Sequence, residues 1–68
     1  MDRYKGYLDG EGGEGECVIS TNPRGGWYIG DVTPSNLPEG SYDLTFERKR
    51  GVAHLRGGVW SVEDVQDA

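Results

Sequence analysis

The most regular alternation of apolar and polar residues runs from Ser41 to Arg56, SYDLTFERKRGVAHLR. Tyr42, Leu44 and Phe46 alternate with Ser41, Asp43, Thr45 and Glu47, the period of two expected of a half-buried strand. Arg48 to Gly51 reads as a turn, with Gly51 supplying a positive φ. Val52 to Arg56 returns as a second strand, with Ala53 and Leu55 on one face and Val52, His54 and Arg56 on the other. Shorter runs predict further strands at Arg3–Leu8, Glu16–Thr21, Trp27–Val32 and Val59–Val62. Cys17 and Ile19 point inward in the second of these, and Trp60 sits in the last.

The connections follow from glycine and proline. Residues 9–15, DGEGGEG, are too rich in glycine for a regular element and read as a flexible loop. Asn22 to Gly26 is a turn by composition, and so is Gly57-Gly58. Thr33 before Pro34 looks like a helix N-cap with proline at N1, which predicts one short helical turn near residues 34–37, stopped by Pro38. Ser61 to Asp64 has capping-box spacing, but one turn is too short for a stable helix. Residues 63–68 are therefore expected to be a frayed acidic tail. The whole reads as a single small β domain over residues 1–68. The expected fold is all-β: an antiparallel barrel or rolled sheet of five to six short strands, SH3-like in architecture.

Composition adds constraints. A domain of 68 residues buries a modest core, and 12 glycines raise the entropy cost of folding it. Help from self-association or a partner is expected, so a homo-oligomer is one reading. A single cysteine excludes an internal disulfide and fits a reducing compartment. No run is apolar enough for a membrane span, and the first ten residues lack a signal-peptide core. These features point to the cytoplasm. The net charge is −5. Residues 41–57 hold Arg48, Lys49, Arg50 and Arg56 against Asp43 and Glu47, leaving −7 on the remainder. An acidic body disfavours non-specific nucleic-acid binding, which rests on phosphate contacts. It suits a basic protein partner instead.

Candidate chemistry is sparse. Gly10, Gly12 and Gly15 satisfy a G-x-G-x-x-G pattern, but a dinucleotide site needs a strand before it and a helix after it, and Glu11, Glu14 and Glu16 would repel a pyrophosphate. Asp9, Glu11, Glu14 and Glu16 are hard oxygen ligands without the spacing of a calcium loop. His54 and Cys17 are the only histidine and cysteine, too few for a zinc centre of ordinary ligand spacing, and Cys17 is assigned to the core. No metal, no cofactor and no catalysis are expected. Two Arg-Gly-Gly triplets, at Arg24 and Arg56, each precede a tryptophan and read as turns entering strands. Trp27 and Tyr28 are adjacent on one strand, so they face opposite ways and at least one should be exposed. The run Leu37-Pro38-Glu39-Gly40-Ser41-Tyr42-Asp43-Leu44 resembles the L-P-x-G-x-Y-x-L strand opening of carboxypeptidase-regulatory-like and PEGA-type β-sandwich modules. It covers eight residues and implies a turn followed by a strand, with no residue role carried over.

Two functions fit these features. The first is a non-catalytic protein-binding module, a small acidic inhibitor or adaptor of the kind phages encode. It would dock Asp9, Glu11, Glu14, Glu16 and Asp31 on a basic or nucleic-acid-binding protein. The second is a small-barrel binder of single-stranded nucleic acid, with Arg48, Lys49, Arg50 and Arg56 on phosphates and Trp27 or Tyr28 stacked on a base. A structural or assembly subunit is a third reading.

Overall fold

The computed structural model describes residues 2–68 and contains six strands. They are β1 (Arg3–Gly10), β2 (Gly13–Thr21), β3 (Trp27–Thr33), β4 (Gly40–Phe46), β5 (Lys49–Arg56) and β6 (Val59–Asp67). All pairings are antiparallel, in the order β3-β2-β1-β4-β5-β6. The sheet curls until the edge strands β3 and β6 approach each other, but no backbone ladder joins them. The result is a half-barrel with an open seam. This is the rolled all-β sheet that the alternation predicts.

The concave face carries the core. Leu8, Cys17, Ile19, Tyr42, Leu44, Phe46, Ala53 and Leu55 are buried, including every residue of the Tyr42–Phe46 stripe. Tyr4, Trp27, Ile29, Val32, Leu37, Trp60, Val62 and Val65 are half-buried around them. Rings close both ends of the roll. At one end Trp27 lies edge-on to Phe46, 4.9 Å between centroids, beside Tyr4. At the other, Tyr42 and Trp60 are 5.3 Å apart.

Four local expectations are corrected. The glycine-rich stretch 9–15 is a tight hairpin: β1 runs to Gly10, β2 starts at Gly13, and only Glu11 and Gly12 turn. Here glycine permits close approach. A Cβ on Gly10 would lie 2.6 Å from the Ser41 carbonyl oxygen, and one on Gly15 would collide with the Thr33 carbonyl. The second correction concerns the β4–β5 turn, which is Glu47-Arg48, with Phe46 opposite Lys49. Glu47 itself takes the positive φ, 50°. Gly51 lies within β5, where its bare Cα admits Val65 of β6; a Cβ there would be 3.0 Å from Val65 Cγ2.

Third, the described residues contain no helix, and Pro34 to Asn36 form a non-helical bend and turn after a cis Thr33–Pro34 peptide. An α-turn starting at Pro34 would need the amide of residue 38 as donor, and Pro38 has none. Fourth, the acidic tail is strand: β6 continues to Asp67, and the Ala68 amide donates to the Arg48 carbonyl at 2.8 Å. Its alternation is hidden by a bulge, which moves the apolar phase from Trp60 and Val62 to Val65. The register shifts between Arg50 and Val52, and Asp64 takes φ 58°. A matching bulge lies on the other edge, where the β2–β3 register shifts between Glu16 and Val18 and Asp31 takes φ 49°.

Candidate functional site

The convex face displays the polar half of each alternation, and strand register decides which of its residues meet. Glu14 stands opposite Asp9, and Asp9 opposite Asp43. Val52 and Glu63 extend the same row across β5 and β6. Like charges directly opposite across strands are as a rule destabilising. Glu11 lies in the turn beyond Asp9. Tyr7 is exposed in the neighbouring row, and its phenol is pushed above its ordinary pKa. A hydrogen bond to Glu14 is the main cause, followed by partial burial and the charges of Glu14, Asp9 and Glu16.

Of the five carboxylates predicted as a binding surface, the structure gathers Asp9, Glu11 and Glu14. Glu16 lies one row away, 3.7 Å from Lys5, and Asp31 is on β3, 3.9 Å from Arg3. Asp43 completes the group and was missed. Its even spacing with Ser41 and Thr45 marks it as outward, but only the β1–β4 register shows what it faces.

Charge divides along the barrel axis. The end with the Glu11-Gly12 turn, the 34–39 connection and the Gly57-Gly58 turn holds Asp9, Glu11, Glu14 and Glu39, with Arg56 as its one cation, and so carries −3 of the net charge of −5; Asp43 and Glu63 lie in the middle of β4 and β6.

The predicted basic site is not assembled. Arg48, Lys49 and Arg50 lie at the opposite end, whereas Arg56 is at the far end of β5, roughly 23 Å away at the rise of a strand. Lys49 Nζ donates to Asp67 Oδ1 at 2.7 Å. That hydrogen bond, then the lysine charge, holds the Asp67 carboxyl below its ordinary pKa. Trp27 turns inward onto Phe46, while Tyr28 is 47% exposed. The two Arg-Gly-Gly triplets form turns at opposite ends.

Cys17 is buried, and burial pushes its thiol up to about 11. His54 points outward from β5, so the two do not form a pair. His54 instead joins a chain that the sequence did not reveal: Ser41 Oγ is 2.8 Å from His54 Nδ1, and His54 Nε2 is 2.5 Å from Glu63 Oε1. Nearby, the Tyr42 hydroxyl donates to the Pro38 carbonyl at 2.5 Å and the Gly57 amide to Glu39 Oε2 at 2.6 Å. These bonds fasten the 34–39 connection over the acidic end. Among the described residues no three His, Cys, Asp or Glu side chains converge tightly enough to hold a metal ion. Compared with protein-family models, curated proteins and solved structures, the chain matches none.

Proposed function

We propose that the chain is a protein-binding module, a small inhibitor or adaptor whose acidic end docks on a basic surface of a partner protein. The observation that carries this reading is the Glu14–Asp9–Asp43 row. Three carboxylates stand side by side across three strands, at a cost to the sheet. A cationic partner would relieve that repulsion on binding, so the same charges that weaken the free fold strengthen the complex. The exposed Tyr7 phenol beside Glu14 adds an aromatic surface of the kind enriched at interfaces. The nucleic-acid reading has less support, because its cations lie at two ends and the half-buried Trp27 packs on Phe46.

The test is titration with lysine- and arginine-rich peptides and with a single-stranded oligonucleotide at low and high salt. The expected result is binding to the basic peptides, strongest at low salt. It should be lost in Asp9→Asn/Glu14→Gln/Asp43→Asn and kept in Arg48→Ala/Lys49→Ala/Arg50→Ala. No complex with any basic peptide at low salt would sink the reading. Oligonucleotide binding that depends on Arg48, Lys49 and Arg50 would replace it.

A further inference from the structure

His54 stands on the outer face of β5 between two serines, Ser41 of β4 and Ser61 of β6, its direct cross-strand partners. The ring engages Ser41 through Nδ1 and Glu63 through Nε2. A carboxylate on Nε2 fixes the neutral tautomer: Nε2 keeps its proton and donates it to Glu63, which leaves Nδ1 to accept from the Ser41 hydroxyl. Nucleophile, base and orienting group in that order is the arrangement that acyl-transfer sites reach on unrelated folds. A cross-strand hydrogen bond between Ser41 and His54 alone would not call for the third group. The His54 side chain is only 19% exposed, whereas Ser41 is open to solvent.

A shallow cleft of about 330 Å³ adjoins Ser41, lined also by Glu11, Gly12, Glu39, Gly40 and Tyr42. Its two carboxylates favour a cationic group and repel an anionic one.

We propose that Ser41 is a nucleophile, with His54 as its general base and Glu63 as the positioning residue, and that it accepts acyl groups from activated esters bearing a cationic group. Ser41 Oγ attacks the ester carbonyl carbon as His54 Nδ1 takes the hydroxyl proton. The bond from that carbon to the leaving oxygen breaks, and His54 returns the proton to the leaving oxygen. Water then repeats the sequence on the acyl-serine, releasing the carboxylic acid and restoring the hydroxyl. A single oxyanion donor is worth about 10²–10³ in rate; with none assigned, the reaction is confined to esters with good leaving groups. This inference goes beyond the docking function and needs no partner.

The test uses the purified chain with p-nitrophenyl acetate and with a p-nitrophenyl ester carrying a trimethylammonium group. Nitrophenolate release is followed together with the mass of the intact chain, and the adduct is mapped by peptide mass spectrometry. The expected result is acylation at Ser41, faster with the cationic ester. It should be abolished in Ser41→Ala, unchanged in Ser61→Ala, slowed in Glu63→Gln, and slowed about 10²–10⁴-fold in His54→Gln. Equal labelling of Ser41 and Ser61 in the unaltered chain overturns the proposal. So does full-rate labelling of Ser41 in folded His54→Gln. Should His54→Gln fail to fold, the ratio of Ser41 to Ser61 labelling in the unaltered chain decides by itself. Equal rates with the two esters overturn the cationic substrate class.

Discussion

The two ends of the half-barrel are closed by the same means and finished differently. At the Phe46 end, Trp27, Tyr4 and Phe46 make an apolar plug. At the Tyr42 end, the ring pair Tyr42–Trp60 is overlaid with side-chain hydrogen bonds through Ser41, His54, Glu63, Tyr42 and Glu39, and uncompensated carboxylates surround it. The first end is closed by rings packed on one another. The other spends polar groups that a core does not need, and both functional proposals lie there.

Deleting a ring at the apolar end should have the largest effect. Phe46→Ala is expected to destabilise by about 3–5 kcal/mol, a large part of what a small domain has, whereas Tyr42→Phe removes one hydrogen bond and should cost about 1 kcal/mol. Urea midpoints compare the two directly; equal losses would mean that the ends share one role.

The buried thiol tests the core between them. Its folded pKa is raised from 9.0 to about 11, so its contribution is fully present below pH 9 and is lost as pH rises toward 11. The loss is on the order of 2 kcal/mol at the upper limit. The difference in high-pH stability between the native chain and Cys17→Ala measures it. Below that window, thiol reagents should modify Cys17 only as fast as the chain opens.

Neutralising the acidic row works in the opposite direction. Asp9→Asn/Glu14→Gln/Asp43→Asn should raise stability by about 0.2–1 kcal/mol for each relieved pair while abolishing binding to basic peptides. A variant that loses both stability and binding would show that the row is structural. The smallest effect belongs to Asp67, whose folded pKa is depressed by Lys49. Its contribution is present above the ordinary carboxylate range and is lost as pH falls through the folded value. NMR of the β6 terminus against pH would show that end loosening in acid, with Lys49→Ala removing the transition.

Much of the fold was legible because burial imposes a period. Tyr42, Leu44, Phe46, Cys17, Ile19, Ala53 and Leu55 all announce their side by alternation, and all are buried. What was not legible depended on register. A turn centred two residues too late places His54 opposite Thr45 rather than Ser41, which conceals the Ser41–His54–Glu63 chain. Bulges hide in the same way: Asp64 breaks the alternation of β6, so a nine-residue strand looks like a four-residue strand and a tail. Glycine density at 9–15 is ambiguous by itself, since flexibility and tight backbone approach call for the same residue.

The seam carries one more consequence. Both strands that border it, β3 and β6, leave a backbone edge without a partner, and such edges are templates for edge-to-edge pairing with another chain. Each edge is interrupted by a bulge with an aspartate at positive φ, Asp31 on one and Asp64 on the other. A kinked edge that also bears a charge is a poor template for a flat incoming strand. The bulges at Asp31 and Asp64 thus make both open edges poorer templates for pairing with another chain than flat strands would be.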